Sequence, residues 1–152
     1  MMNNTMKALG LVLLLFLSGC TEETASESLV SPGEQASTIL QIPVSTPASE
    51  KLSTLINMVR TGNRDSVAVL IQDNMAAFLQ QIPIEEHIDN LMEFYNGFSQ
   101  IEFNSYARNE SLHAVGLFYN TQSDSWVNIG VEVEEEPPHR IYLISIEPAA
   151  AP

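Results

Sequence analysis

The sequence predicts an α+β domain in which helices are followed by a sheet of four antiparallel strands. Before residue 97, apolar side chains recur at intervals of three and four, which is typical of amphipathic helices. After Gly97 they alternate with polar side chains, which is typical of strands that bury one face. Turn-forming residues separate the four alternating runs, so we expect sequential hairpins with helices covering one face of the sheet.

Three helices and one further helical turn are predicted in the first half of the domain. Ser49 is the expected cap of the first helix, and Gly62 follows its end. Asp65 is a candidate N-cap for the second helix, and Gly97 is expected to close the third. The helices are expected at residues 50–61, 65–73 and 84–96, with the turn at 75–81. The side chains expected to face the core are Leu52, Leu55, Ile56, Val59, Val67, Leu70, Ile71, Ile88, Leu91, Met92 and Tyr95.

Four strands are predicted to begin near residues 101, 112, 126 and 141, the last of them ending at 146. The side chains expected to share the buried face are Ile101, Phe103, Leu112, Ala114, Gly116, Phe118, Val127, Ile129, Val131 and Val133. The opposite face carries several aromatic side chains and is expected to line a concavity. The candidate ligand contacts are Trp126, Tyr106, Tyr119 and Tyr142, and packing in the core or on the sheet surface is the alternative.

Residues 1–19 have the layout of a signal peptide. A short polar region ends at Lys7, and residues 8–17 form an apolar run. This run is shorter than the roughly 20 residues of a membrane-spanning helix and is typical of a signal-peptide core. The tetrapeptide Leu17-Ser18-Gly19-Cys20 follows directly. The alternative is a buried core helix followed by an ordinary thiol.

The motif Leu17-Ser18-Gly19-Cys20 resembles the lipobox of bacterial lipoproteins. The resemblance implies that the thiol of Cys20 receives a diacylglycerol, that the chain is cleaved before this residue, and that fatty acyl chains such as palmitate hold the protein in a membrane of the cell envelope. Because Thr21 stands where aspartate is the usual retention signal, it also implies delivery to the periplasmic side of the outer membrane, if the source has one.

Residues 20–49 are expected to form a disordered tether that carries the lipidated Cys20. They are rich in Ser, Thr, Glu, Ala and Pro and contain no aromatic or basic residue, which is typical of linkers. Packing of the short apolar patch Ile39-Leu40-Gln41-Ile42 against the domain is the alternative for that patch. The α+β domain is expected at residues 50–148, followed by a tail at 149–152.

The net charge excludes one class of partner. The chain has a formal charge of −13, and loss of Lys7 with the leader takes it to −14. An acidic surface repels phosphate groups and lacks the basic stripe that nucleic acid requires. We therefore expect no nucleic-acid binding and interpret the acidity as a solubility feature.

The sequence contains no motif for catalysis or metal binding. The Ser-x-x-Lys tetrad of serine hydrolases is absent, and Gly97-Phe98-Ser99-Gln100-Ile101 lacks the closing glycine of a nucleophile elbow. His87, His113 and His139 lack the i, i+4 pairing of helical zinc ligands. We therefore predict no catalytic residue, no metal site and no cofactor.

The order of elements and three short motifs resemble a module of exported bacterial proteins. The motifs are Arg60-Thr61-Gly62-Asn63, Gly97-Phe98-Ser99-Gln100-Ile101 and Glu136-Pro137-Pro138-His139-Arg140-Ile141. They are similar to the nuclear transport factor 2-like, or cystatin-like, domain attached to β-lactamase-related serine hydrolases and to some processing peptidases. The resemblance implies a non-catalytic accessory domain. The sequence departs from that arrangement at Pro152, where an attached hydrolase domain would begin. The domain is therefore expected to be either a free-standing version of the module or a remnant of a larger hydrolase.

We therefore expect a membrane-anchored lipoprotein whose domain binds a ligand, a partner protein or a second copy of itself. The alternative is a small enzyme in which an acid or a histidine in the pocket of this fold abstracts a proton. The two differ in the placement of His113, Asp124 and Glu102. An enzyme encloses one of these side chains in a pocket, whereas a binding module presents an open apolar sheet face.

Overall fold

The computed structural model describes residues 39–152, in which three α-helices and a 3₁₀ turn precede four strands. The elements are α1 (Pro47–Val59), α2 (Arg64–Asn74), the 3₁₀ turn Leu79–Gln81, α3 (Ile84–Phe98), β1 (Ile101–Asn109), β2 (His113–Asn120), β3 (Ser125–Val133) and β4 (Ile141–Ala149). The predicted α+β class is confirmed. The predicted signal peptide, Cys20 and the first part of the predicted tether lie outside the described residues.

Helix α1 begins at Pro47, earlier than the predicted start at residue 50. Its N-cap is Thr46, whose hydroxyl accepts the Ser49 N–H at 3.0 Å, while the Ser49 hydroxyl accepts the Thr46 N–H at 2.8 Å. Pro47 suits the first helical position because the N–H that it lacks would have no helical partner there. Ser49, the predicted cap, is thus the reciprocal partner within the first turn.

The segment before α1 packs on the domain. Ile42 is buried in the hydrophobic core, and the backbone of Leu40 forms two hydrogen bonds with the Asn57 side chain, at 2.7 and 3.1 Å. The Tyr106 hydroxyl donates to the Pro43 carbonyl at 2.5 Å. The alternative in which the apolar patch packs is therefore the one that the structure shows, and the folded unit begins before the predicted boundary at residue 50.

The ends of the other two helices also differ from the prediction. The N-cap of α2 is Asn63, whose side chain accepts the N–H of Asp65 at 2.8 Å, so Asp65 lies inside the first turn. Helix α3 continues through Gly97 to Phe98, and its C-cap is Ser99. A cap depends on which N–H or C=O groups remain unpaired at the helix end, and neighbouring polar residues compete for them.

The four strands form one antiparallel meander in the order β1-β2-β3-β4, as predicted. Helix α1 packs against β2 and β3, whose buried face carries Ala114, Phe118, Val127, Ile129, Val131 and Val133. The predicted residues of those strands lie on this face, Gly116 included, whereas Leu112 precedes β2 and is only partly buried. Strand β4 extends to Ala149, beyond the predicted end at residue 146. Among residues 39–152, no helix has the length and hydropathy needed to cross a membrane.

Two irregularities in β1 change which side chains share a face. The register shifts between Phe103 and Ser105, and again between Tyr106 and Arg108. Each shift turns the following residues to the other side of the sheet, since side chains alternate along a strand. Tyr106 therefore pairs with Gly116 on the helix-facing side.

The core is closely packed at two glycines. Phe118 is fully buried and meets Phe103 edge to face, with ring centroids 5.5 Å apart. A Cβ on Gly116 would lie 2.6 Å from the Phe118 ring, so only glycine fits beside it. Gly62 lies in the turn after α1 and has a φ of 63°, and a Cβ there would lie 2.8 Å from the Tyr95 ring. Both positions therefore exclude a side chain.

Candidate ligand-binding site

An apolar cleft of about 340 Å³ lies between helix α3 and the edge strand β4. Leu55 and Met75 form its floor. The side chains that line the rest of it are Leu79, His87, Asn90, Leu91, Phe94, Tyr142, Leu143, Ile144 and Ile146. A cleft of this size, with mainly apolar walls and few polar groups, is typical of small-molecule sites.

One stripe of α3 forms the helical wall of the cleft. His87, Asn90, Leu91 and Phe94 are spaced by three and four residues, so they lie on the same side of the helix. Leu91 and Phe94 are buried where this stripe meets the core, with exposed fractions of 8 and 9%. The helix therefore offers an apolar surface that becomes polar at its N-terminal end.

The opposite wall is the part of the sheet that the helices cover least. Ile129 of β3 is fully buried, whereas Ile146, its cross-strand partner on β4, is 43% exposed. Leu143 is 45% exposed on the same strand. Large apolar side chains on an exposed concave surface cost free energy in water, which favours occupation of the cleft by an apolar group.

At one end of the cleft, the segment that follows α2 forms backbone contacts with β4. The Ala76 N–H donates to the Ile141 carbonyl at 2.8 Å, and Met75 forms a parallel bridge with Ile141. The Gln80 side chain donates to the Met75 carbonyl at 3.0 Å. The predicted helical turn at 75–81 is thus a bridge to β4 followed by the 3₁₀ turn, and this bridge positions Met75 in the floor.

His87 lies in the lining of the cleft, and its hydrogen bond shows which ring nitrogen carries a proton. Its Nε2 lies 2.6 Å from the Leu79 carbonyl oxygen. A carbonyl oxygen can only accept, so Nε2 carries the proton and donates. The side-chain amide of Asn90 lies one helical turn away on the same wall, and the Tyr142 hydroxyl of the opposite wall donates to Glu132.

Of the predicted ligand contacts, Tyr142 lines this cleft, whereas the other three lie elsewhere and do not form one group. Tyr119 and Trp126 are cross-strand partners on the sheet face opposite the helices, with ring centroids 5.1 Å apart. Tyr106 lies on the helix-facing side because of the β1 irregularities and contacts Phe103. The structure therefore brings two of these three candidates together and separates the third.

None of the three side chains that distinguish an enzyme from a binding module is buried in a closed pocket of the described domain. His113 lines an open concavity of about 420 Å³ together with Arg108 and Glu132, and Glu102 lines a smaller one. His113 lies on the outer sheet face, with Nδ1 3.0 Å from Arg108 Nη1. Asp124 is exposed in the β2–β3 turn, where it accepts the Tyr119 hydroxyl at 2.5 Å, and Glu102 is exposed on β1. Among residues 39–152, no three His, Cys, Asp or Glu side chains lie together in a metal-binding arrangement.

In comparisons with protein-family models, curated proteins and solved structures, no match to this chain was found. The site is therefore described by its own geometry. The predicted lipidation residue, Cys20, lies outside the described residues and stays a prediction.

Sequence reasoning found Leu91 as a core residue but did not identify the cleft. The signal for the helical wall was present in the spacing of His87, Leu91 and Phe94. No signal in the sequence reports how far the helices extend across the sheet, and that distance decides whether β4 is covered. The cleft is therefore a property of the packed domain.

Proposed function

We propose that this protein is a membrane-anchored lipoprotein whose α+β domain binds a small, neutral, mainly apolar ligand in the cleft between α3 and β4. The apolar lining of that cleft is the observation that supports the proposal most directly. Leu55, Met75, Leu91 and Phe94 form a continuous apolar floor and wall, while His87 offers one hydrogen-bonding nitrogen at the end.

Charge supports a neutral ligand. Within residues 39–152, the cleft lining contains no Lys, Arg, Asp or Glu, so it offers no counter-ion to a charged group. Burying an unpaired charge in such a lining costs several kcal/mol. The net charge of −13 adds repulsion against anions. An uncharged molecule with apolar rings or chains and at most one polar group avoids both costs.

The membrane attachment rests on the sequence motif. Acylation of Cys20 after a signal peptide would hold the domain at the surface of a cell-envelope membrane, with two or three acyl chains giving stable anchoring. The resemblance to nuclear transport factor 2-like modules supports a non-catalytic role, accessory to a serine hydrolase or peptidase. The helices-then-meander order of the domain is compatible with that resemblance.

Binding of a neutral fluorescent probe tests the cleft. We expect residues 39–152 to bind N-phenyl-1-naphthylamine saturably, with increased fluorescence. Ile146→Asn places a polar group on the exposed rim and should weaken binding about fivefold, because it removes roughly 1 kcal/mol of apolar contact.

Val69→Asn is the matched control for that variant. Val69 is 47% exposed on α2, close to the 43% of Ile146, and it is not part of the cleft lining. This variant should bind the probe as the unmodified domain does. Equal binding by all three proteins, or no saturable binding at all, would contradict the proposal for the cleft.

A further inference from the structure

The outer face of the sheet carries a second feature, separate from the cleft. Glu102, Tyr119, Trp126 and Ala149 are consecutive cross-strand partners, so they form one row across β1, β2, β3 and β4. Within this row the two aromatic rings lie 5.1 Å apart and are tilted by 45°. A carboxylate therefore stands directly beside an aromatic pair.

A small concavity of about 150 Å³ lies over this row. It is lined by Glu102, Phe103, Asn104, Tyr119 and Trp126. Tyr119 and Trp126 are each only partly buried, so their rings remain accessible from solvent. The volume is too small for most drug-sized ligands, which occupy at least about 300 Å³, and is suited to a single head group.

Two carboxylates, those of Glu102 and Asp124, lie at this end of the sheet. The Tyr119 hydroxyl donates to Asp124, and this hydrogen bond raises the pKa of Tyr119, with smaller contributions from burial and from the charges of Asp124 and Glu102. Among residues 39–152, neither Glu102 nor Asp124 forms an ion pair. Two carboxylates thus lie beside the rings without a cationic partner.

The nearest basic groups on this face lie at its other end. Arg108 pairs with Val115, four residues along β2 from Tyr119, which corresponds to roughly 13 Å. Its guanidinium contacts His113 and Glu110 there. On this face of the described domain, no basic side chain therefore lies beside the aromatic row.

We propose that the row of Glu102, Tyr119 and Trp126 is a binding site for a quaternary ammonium head group. Such a cation is weakly hydrated and has no N–H to satisfy. It is attracted to the faces of Trp and Tyr rings within about 6 Å, and a nearby carboxylate adds to the attraction. Anions are repelled by the same carboxylates, and the acidity of the whole chain steers cations toward the site.

The protein contains its own reporter for this test, because Trp126 is the single tryptophan of the chain. The full chain, purified in a polyoxyethylene nonionic detergent that carries neither a sugar nor an ammonium head group, is titrated with choline at constant ionic strength while tryptophan fluorescence is recorded. We expect a saturable change in Trp126 emission. The uncharged isostere 3,3-dimethylbutanol should bind at least tenfold more weakly, because it has the shape of choline without its charge.

Two charge-matched variants distinguish the site from general acidity. Glu102→Gln should weaken choline binding at least fivefold. Glu93→Gln makes the same charge change on the exposed surface of α3 and should leave the titration unchanged. Because both substitutions are at exposed positions, neither is expected to disturb folding.

Four results would overturn the proposal. They are a choline titration without saturation, equal binding of the neutral isostere, equal weakening by the two variants, and stronger binding of methyl glucoside, which would indicate stacking of a sugar on the rings. A choline response that Glu102→Gln alone reduces supports it. The result is independent of the α3–β4 cleft, since the probe for that cleft is neutral and reports on the opposite side of the sheet.

Discussion

Replacement of Ser49 by alanine tests whether the folded domain includes the residues before α1. The Ser49 side chain is fully buried, and its hydroxyl accepts the N–H groups of Ser45 and Thr46 at 2.9 and 2.8 Å while donating to the Thr46 carbonyl. Ser49→Ala removes the hydroxyl oxygen that accepts both of these backbone N–H groups. At about 1 kcal/mol for each lost hydrogen bond, the domain should lose about 2 kcal/mol.

Thermal unfolding followed by circular dichroism at neutral pH measures this loss. For a domain of this size, 2 kcal/mol corresponds to a decrease in Tm of about 8 °C. Ser53→Ala is the control, because within residues 39–152 the Ser53 hydroxyl accepts one long hydrogen bond, from the Asn57 side chain at 3.5 Å. It should change Tm by less than about 2 °C, since alanine is favoured in helices. If the Ser49→Ala domain has the same Tm as the Ser53→Ala control, the capping role of Ser49 and the early domain boundary are refuted.

Four further predictions follow from the fold and the sequence. Residues 39–152 should fold alone with one cooperative urea transition, because the core is built within them; a gradual transition would contradict this. Phe118→Ala should destabilise the domain by about 3–5 kcal/mol in the same assay, since its ring is fully buried. Burial raises the pKa of Tyr106 in the folded state, so its contribution to the free energy of unfolding is complete below the ordinary tyrosine pKa near 10 and is lost as pH rises through the higher folded value. Tyr106→Phe should therefore reduce the fall in the free energy of unfolding between about pH 9 and 11. The same fall in both proteins would count against this prediction. Cys20→Ser should move the protein from the membrane fraction to the soluble fraction in detergent partitioning, and an unchanged membrane fraction would argue against lipid attachment.

The alternation and spacing of apolar residues predicted most of the fold. Strand β3 has the predicted buried face because its alternation of Val127, Ile129, Val131 and Val133 is uninterrupted. Such patterns depend on the period of the local structure, which a single sequence displays directly. The sequence also contains a signal for the start of α1, because Thr46 followed by Pro47 is typical of a helix N-terminus. The polar composition around these residues favoured a linker instead.

The failures arise where contacts between distant segments decide the outcome. The first β1 irregularity reverses the face of Tyr106, and it is a property of the pairing between β1 and β2. Ile42 enters the core because α1 and the sheet provide a surface for it. The cleft depends likewise on how far α3 lies from β4. None of these contacts between distant segments can be read from a local pattern of residues.

Methyl NMR of residues 39–152 during titration with N-phenyl-1-naphthylamine tests the proposed ligand site most directly. The methyl groups of Leu91, Ile144 and Ile146 line the cleft, whereas Val115 and Leu117 lie on the opposite face of the sheet. We predict saturable shifts at the first three residues and constant positions at the last two. Shifts confined to Val115 and Leu117, or no shift at any of the five, would contradict the account.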